Sequence, residues 1–180
     1  MPFTPPPAKI ALHIRRLEAE DDLSFLDDEP ELSAKDAQLR ADQRWLLSSN
    51  LPTCWVAVDP AGKICFMTWM LTSQDNALIR ELWGDWLPKI KPDEVLIEGI
   101  YTAESHRGLG IMADAATRIA EGALATGARY GLGFIGSGNS PSLRAGEKAG
   151  WIPFLTREEG WVLFRRRVRF SPVVDAHGTE

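Results

Sequence analysis

A glycine-rich turn between a predicted strand and a predicted helix has the composition of an anion-binding site. The strand ends at Thr102, the turn reads Arg107-Gly108-Leu109-Gly110, and a helical period of apolar residues begins directly after it. Glycines let the backbone approach a phosphate closely, and the first free N–H groups of a helix point toward such a group. The sequence therefore predicts a phosphate cradle at this turn.

Length and composition are those of a globular protein with one domain. Of its 180 residues, 44% are apolar and 25% are charged, which suffices for one well-packed core. No apolar run approaches the roughly 20 residues of a transmembrane helix, and the first residues lack the pattern of a signal peptide. Two cysteines make neither a disulfide framework nor a metal site. We expect a cytoplasmic protein without a metal and without a membrane partner.

The charge distribution bears on the choice of ligand. The formal net charge of −5 argues against nucleic acid as a partner. Acidic residues crowd the region from Glu18 to Asp36, where Lys35 is the single basic residue. Such a run is usually a solvated surface, and it could also raise the local concentration of a cationic acceptor. Both interpretations stay open.

Hydrophobic periodicity and turn residues predict a mixed α/β chain of one domain. The predicted strands cover 9–17, 53–58, 63–71, 95–102, 130–135, 151–155 and 161–168. One helix is predicted from a cap at Ser33 to about Ser49, and others over 74–87, 111–127 and 139–149. The proline-rich residues 1–7 are expected to form a flexible arm, residues 8–170 the domain, and residues 171–180 a tail.

A second glycine pattern competes with the first. Gly131, Gly133 and Gly136 form a literal G-x-G-x-x-G, which is the fingerprint of dinucleotide-binding folds. That fingerprint requires a strand before it and a helix that starts within it. Here a predicted helix ends shortly before the pattern, and Phe134-Ile135 inside it has the composition of a strand. The context therefore argues against a dinucleotide oxidoreductase.

Two motifs at the expected separation resemble the GNAT superfamily of acyl-CoA-dependent N-acyltransferases. The turn that begins at Arg107 is similar to motif A, R/Q-x-x-G-x-G/A. The segment that begins at Asn139 and ends at Gly150-Trp151 resembles motif B, a helix opened by Asn and closed by Gly plus an aromatic. The resemblance covers residues 8–170. It implies a single domain with a mixed, mostly antiparallel central sheet of about seven strands, flanked by about four helices.

Two positions differ from the pattern of that family. Met112 stands where motif A has Gly or Ala, but its backbone N–H can still point at a phosphate, so we expect coenzyme binding to persist. Gly146 stands seven residues after Asn139, where members often carry the tyrosine that protonates the leaving thiolate. Tyr101, Ser142 or a water molecule could donate that proton, and a thiolate with a pKa of about 8.5 could leave unprotonated.

The resemblance also implies which residues hold acetyl-CoA, the expected co-substrate. The pyrophosphate would lie on the turn and the helix N-terminus, the developing oxyanion on the central strand, and the pantetheine arm beside the motif B helix. The implied coenzyme-binding residues are Ile100, Tyr101, Thr102, Arg107, Gly108, Leu109, Gly110, Ile111, Met112, Asn139 and Ser142.

Acyl transfer needs a neutral amine, so the resemblance implies a carboxylate near the central strand that accepts a proton directly or through water. Glu98 is the first candidate and Glu94 the second, because both share a face with Ile100 if the strand is regular. An unpaired carboxylate in an apolar strand costs free energy. Glu98 therefore either forms an ion pair, with Arg80 or Arg129 as candidates, or serves as the base.

We therefore expect an N-acetyltransferase that transfers an acetyl group from acetyl-CoA to a primary amine of a small molecule by direct attack in a ternary complex. Trp83 and Trp86 precede the central strand, next to the acceptor pocket that the family implies, and either contact substrate or only fill the core. The alternatives are a non-catalytic acyl-CoA-binding module of the same shape and an acyltransferase with a longer acyl donor. Each of these three functions is compatible with a homodimer.

Overall fold

The computed structural model describes residues 7–163 and 165–173. Within these residues the chain forms seven strands and four helices, as the predicted fold class requires. The strands are β1 (His13–Arg16), β2 (Cys54–Val58), β3 (Ile64–Thr72), β4 (Glu94–Thr102), β5 (Tyr130–Leu132), β6 (Leu155–Val162) and β7 (Arg165–Pro172). The helices are α1 (Ala34–Ser48), α2 (Asn76–Trp83), α3 (Ile111–Gly122) and α4 (Ser140–Lys148). Most of the predicted arm and tail lies outside the described residues.

Five strands form one sheet in the order β1-β2-β3-β4-β5. Neighbouring strands are antiparallel except β4 and β5, which run parallel. The pairing of β4 with β5 ends at Leu96 and Leu132, although β4 continues to Thr102. The two strands therefore separate, and the second half of β4 is open on the side of β5.

The last two strands differ from their prediction in register and in pairing. β6 and β7 pair with each other as a separate hairpin instead of joining the central sheet. Residues 158–160, predicted as the connection, lie inside β6, where Gly160 pairs with Arg167. The two glutamates and the glycine have turn composition, but on an exposed ribbon they face solvent without penalty. The chain turns instead at Leu163, which adopts a φ of 49°.

Four further elements are shorter than their patterns predict. α3 ends at Gly122 instead of residue 127, because a 3₁₀ turn over Ala123–Thr126 follows it. β1 begins at His13 instead of residue 9, α2 ends at Trp83 instead of residue 87, and β5 ends at Leu132 instead of residue 135. Gly84, with a φ of 62° and a ψ of −127°, stops α2, because a helix requires a negative φ. β5 ends because its pairing with β4 ends there. Among the described residues, no helix combines the length and the apolarity that crossing a bilayer requires.

Two apolar layers cover the central sheet. The layer on the side of α1 and α2 includes Leu46, Trp69, Leu71, Leu96 and Tyr101. The layer on the side of α3 includes Phe66, Ile97, Ile111, Ala115 and Ile119. The three α3 residues of this second list are those that the helical period predicts, and all are buried. The sheet is thus closed on both faces, except where β4 and β5 separate.

Candidate active site

β4 carries a bulge at the point where it leaves β5. The pairing register with β3 shifts between Glu98 and Tyr101, and Gly99 between them has a φ of 65°. Tyr101 packs with the α1 and α2 layer, whereas Ile100 packs with the α3 layer. The extra residue reverses the alternation, so the predicted common face of Glu98 and Ile100 is wrong. Glu98 instead follows Leu96 toward the face of α1 and α2.

A cavity of about 350 Å³ lies at this separation of β4 and β5. It extends from the α1 and α2 face of the sheet to the face of α3 and α4, because both faces contribute to its lining. The predicted site residues that line it are Glu98, Ile100, Met112, Asn139, Ser142, Trp83 and Trp86. The split in the sheet therefore brings the first candidate base together with the motif B asparagine and both candidate substrate tryptophans.

The environment of Glu98 favours its neutral form more than water does. The residue is half-buried in the middle of the cavity lining. Burial raises the pKa of its carboxyl group, and a hydrogen bond from the Gly99 N–H and the positive charge of Arg157 offset only part of that rise. Glu98 is therefore a better proton acceptor than an exposed glutamate.

Neither predicted ion-pair partner contacts Glu98. Arg80 pairs with Asp85, with 2.8 Å between Nη1 and Oδ1. Arg129 lies over the ring of Tyr130, 5.6 Å from its centroid. Within the described residues Glu98 forms no ion pair with any cation. The prediction of an ion pair between Glu98 and Arg80 or Arg129 is therefore wrong.

The other two candidate catalytic residues lie outside the cavity lining. The Tyr101 hydroxyl donates to both carboxylate oxygens of Glu104 at 2.9 and 3.0 Å, and burial together with this carboxylate raises the pKa of Tyr101 to about 12. Glu94 accepts hydrogen bonds from the backbone N–H and the ammonium of Lys91 at 2.9 and 2.8 Å. Each of the two residues therefore has a structural partner away from Glu98.

An ion-pair network joins the end of β4 to α1. Arg40, only 5% exposed, pairs with Glu29 and Glu104, each at 3.0 Å. Arg107 pairs with Asp36 at 2.6 Å and with Glu104 at 3.0 Å. Arg107, the first residue of motif A, thus forms ion pairs with two carboxylates. Sequence reasoning missed this role, because nothing local to Arg107 indicates that α1 lies beside it.

Arg40→Ala is expected to lower the free energy of unfolding by about 2 kcal/mol, because it leaves Glu104 and Tyr101 without their buried cation. The partial exposure of Glu104 keeps the effect below that of a fully buried pair. Chemical denaturation measures it, and Arg80→Ala, which breaks the exposed pair with Asp85, is the control that should change little. Equal losses in both variants would contradict the structural role of Arg40.

The same network predicts a pH dependence of stability. Burial alone would raise the pKa of Glu104, but hydrogen bonds from Arg40 and Tyr101 outweigh it, so the pKa is lowered. A lowered carboxyl pKa means that the folded state holds the proton less tightly than the unfolded state does. The contribution of Glu104 is therefore complete above the ordinary glutamate pKa of about 4.3 and is lost as the pH falls through the lowered value.

The turn before α3 has the geometry that the phosphate prediction requires. Gly108 and Gly110 adopt φ values of 78° and 79°, a region that side chains disfavour. No side chain among the described residues caps the first turn of α3, so its N–H groups remain available for an anion. The glycine conformations and the uncapped helix start fit a pyrophosphate.

An N-terminal segment, whose position no sequence pattern indicates, supports this turn. The backbone N–H of Lys9 donates to the Leu109 carbonyl at 2.8 Å, and that of Ala8 donates to Oδ2 of Asp114 at 3.0 Å. A Cβ on Gly110 would lie 3.7 Å from the Cα of Ala8. The chain before β1 therefore fixes the turn from outside, which explains why it is not part of the first strand.

Motif B contributes through the start of α4. The Asn139 side chain accepts a hydrogen bond from the Ser142 N–H at 3.4 Å, which caps the helix, and both residues line the cavity. Gly146, in the place of the family tyrosine, is buried, and a Cβ there would lie 3.3 Å from Cδ1 of Ile135. Of the two side chains suggested as proton donors, Ser142 lines the cavity and Tyr101 does not.

Three further side chains at the cavity were missed from the sequence. Gln43 and Trp45 of α1 line it, and Arg157 of β6 lies over the ring of Trp86, 4.0 Å from its centroid. A tryptophan on a largely polar helix was the one available signal for α1. No feature of the sequence indicated a role for Arg157, because its position beside Trp86 depends on how the β6–β7 hairpin packs.

Comparison with solved structures identifies the fold. No family model matches the sequence, and no curated protein does. One similar solved structure is a protein provisionally assigned as a phosphinothricin N-acetyltransferase, at 19% identity and a TM-score of 0.52, covering 89% of this chain and 96% of that one. Another is the aminoglycoside N-acetyltransferase AAC(6')-Iy in complex with CoA, at 16% identity and a TM-score of 0.50, covering 88% and 95%. The chain has the fold of the GNAT acetyltransferases.

Proposed function

We propose that this protein is an N-acetyltransferase that transfers the acetyl group of acetyl-CoA to a primary amine of a small molecule in a ternary complex. The observation that carries the proposal is the position of Glu98. This carboxylate has a pKa raised by burial, has no ion-pair partner among the described residues, and lines the cavity where β4 leaves β5. A carboxylate of raised pKa in a cleft, without a structural role, is the expected form of a general base.

The coenzyme would bind along the α3 and α4 side of the cavity. The backbone N–H groups at Gly108, Gly110 and the first turn of α3 would hold its pyrophosphate. Asn139 and Ser142 would contact its pantetheine arm. When bound, acetyl-CoA supplies a thioester carbonyl as the electrophile. Backbone N–H groups of β4 beyond Leu96, where β5 no longer pairs, support the proposal as donors to the carbonyl oxygen.

Glu98 would prepare the amine. An alkylammonium has a pKa near that of lysine, about 10.4, so at neutral pH it must lose a proton before it can attack. The carboxylate accepts that proton directly or through one water, which frees the nitrogen lone pair. Attack forms the C–N bond and breaks the C–S bond, and the excess proton on the acylated nitrogen passes to the departing sulfur. Ser142, at the same cavity, is the side chain suited to donate a proton to the departing sulfur.

Gly110→Val is expected to weaken the affinity for coenzyme A by about tenfold or more. A branched side chain at a φ of 79° forces the turn to change, which moves the N–H groups that would face the pyrophosphate. Gly84→Val is the control, because Gly84 also has a positive φ but lies at the end of α2, with nothing within 4 Å of the position that its Cβ would take. Calorimetric titration should separate the two, and unchanged affinity in Gly110→Val would argue against this binding mode.

The reaction itself is tested by thiol release from acetyl-CoA with a panel of primary amines. The expected result is release that depends on both the amine and the protein, with the acetylated amine identified by mass spectrometry. Coenzyme binding without release for any amine would point to a non-catalytic binding module. Faster release from longer acyl thioesters would show that the donor is not acetyl-CoA.

A further inference from the structure

Three indole rings wall the part of the cavity on the α1 and α2 face, which we call the acceptor side. Trp45 comes from α1, Trp83 from the end of α2, and Trp86 from the loop that follows. Trp45 and Trp83 meet edge to face, with 5.7 Å between ring centroids. Trp45 nevertheless remains 44% exposed. The cavity thus offers an aromatic surface that the protein itself does not cover.

The third indole is held rigidly by the β6–β7 hairpin. The Arg157 guanidinium lies 4.0 Å from the Trp86 ring centroid, and its Nη1 donates to the Trp86 carbonyl at 3.3 Å. The Trp86 Nε1–H donates to Oε2 of Glu159 at 3.2 Å. These contacts fix the ring before any ligand arrives, so little conformational entropy is lost when a flat group packs against it.

The polar side chains that line this part of the cavity suit an ammonium, whereas the Arg157 guanidinium beside Trp86 is not part of the lining. Glu98 and Asp42 line the cavity as carboxylates. Gln43 is only 3% exposed, and within the described residues its Oε1 has no hydrogen-bond partner. An unpaired buried acceptor costs free energy, so an N–H donor from a ligand would stabilise it. The terminal torsion of glutamine is soft, which lets the amide turn its oxygen toward the cavity.

From this arrangement we infer that the acceptor is a small primary amine that carries an aromatic ring. The inference rests on the proposed function for the reaction and goes beyond it in naming the acceptor class. The ammonium lies toward Glu98 and Gln43. The ring packs among Trp45, Trp83 and Trp86. A polyhydroxylated amine would find few hydrogen-bond partners for its hydroxyl groups, because most side chains that line this face are apolar or aromatic. The cavity of about 350 Å³, part of which the coenzyme arm needs, keeps the acceptor small.

Matched amines test this inference on the full-length protein. The probes are phenethylamine, hexylamine and glucosamine, which carry a primary amine on an aromatic, an aliphatic and a hydroxylated body. Both kcat/KM with acetyl-CoA and the calorimetric affinity without turnover are measured. We expect phenethylamine to exceed the other two by about tenfold in both quantities. Equal values for phenethylamine and hexylamine, or a preference for glucosamine, would overturn the inference.

Two variants locate the preference in the acceptor side. Trp45→Leu should reduce the phenethylamine preference to within about twofold of hexylamine, while affinity for coenzyme A is unchanged. Trp161→Leu is the control, since Trp161 is 70% exposed on β6 and is not part of the cavity lining. Gln43→Leu should weaken amine affinity severalfold without lowering the free energy of unfolding, because it removes the unpaired oxygen. A preference that survives Trp45→Leu would contradict the assignment.

The outcomes separate the acceptor class from the reaction. If no amine is acetylated but phenethylamine binds more tightly than hexylamine and loses that advantage in Trp45→Leu, the ligand class stands and the proposed reaction fails. If amines are acetylated without a preference for the aromatic one, the reaction stands and the ligand class fails. If phenethylamine neither binds nor reacts, the inference is overturned.

Discussion

Glu98→Gln is expected to lower kcat by a factor of about one hundred to ten thousand, which is the usual contribution of a general base. Glutamine keeps the size of the side chain and can still occupy the cavity, but it cannot accept the ammonium proton. The affinity for coenzyme A should stay within about twofold, because the residues proposed to hold the coenzyme lie on α3, α4 and the turn before α3. Steady-state kinetics and calorimetric titration measure the two effects.

Glu94→Gln is the matched control for this substitution. It removes a carboxylate from the same strand, but one that is paired with Lys91 and lies outside the cavity lining. Its kcat should remain within about twofold of the unsubstituted protein. A large loss of turnover in Glu94→Gln, or a normal kcat in Glu98→Gln, would show that the base has been assigned to the wrong residue.

The stability of Glu98→Gln gives a second, independent signature. Burial raises the pKa of Glu98, so the folded protein binds this proton more tightly than the unfolded chain does. The charged carboxylate therefore destabilises the fold increasingly as the pH rises from the ordinary glutamate pKa of about 4.3 through the raised value. The glutamine variant should be at least as stable at neutral pH, and this advantage should disappear in acid. A residue that costs stability and carries turnover is retained for function.

The largest loss of stability is expected from Gly99→Ala, at about 3 kcal/mol. A Cβ at this position would lie 2.5 Å from Cδ1 of Leu46 and 2.8 Å from Cε3 of Trp69, so two buried side chains would have to move. The φ of 65° adds strain of about 1–2 kcal/mol for any residue other than glycine. Denaturant titration measures the sum.

Gly84→Ala separates the two contributions to this loss. Gly84 has a similar φ of 62°, but nothing lies within 4 Å of the position that its Cβ would take. Its substitution should cost only the backbone strain, about 1–2 kcal/mol. If the two alanine variants were equally stable, the contacts of Gly99 with Leu46 and Trp69 would be unimportant. Gly99→Ala should also reduce turnover, because the bulge positions the neighbouring Glu98.

The sequence predicted the central part of the fold because its signals are local. The strand, the glycine turn and the start of the helix each follow from residue spacing. The helix itself ends at Gly122, and a 3₁₀ turn leads to Gly127, which adopts a left-handed φ of 90°. Ser33 likewise caps α1 by accepting a hydrogen bond from the N–H of Asp36. These features depend on propensities and capping, which a short stretch of sequence determines by itself.

Features that depend on contacts between distant segments could not be predicted in this way. The bulge at Gly99 places the backbone close against Leu46 and Trp69, and neither lies near Gly99 in the sequence. The prediction of a common face for Glu98 and Ile100, made by counting alternate residues along β4, is therefore wrong beyond Gly99. The acceptor side depends on α1 packing over β4, and Arg157 reaches it from a hairpin whose register the turn-like residues 158–160 conceal. A binding site combines residues from segments that are far apart in the sequence. The buried face of one helix or strand follows from that segment alone.

The most direct test of the proposed function is calorimetric titration of the protein with acetyl-CoA and with free coenzyme A. Every proposed role requires that the thioester binds where β4 and β5 separate. This holds for the turn before α3, for Glu98 and for the acceptor side. We predict saturable binding at one site, with a weaker affinity in Gly110→Val and an unchanged affinity in Glu98→Gln. A folded protein that binds neither acetyl-CoA nor coenzyme A would contradict the proposal that it is an acetyltransferase.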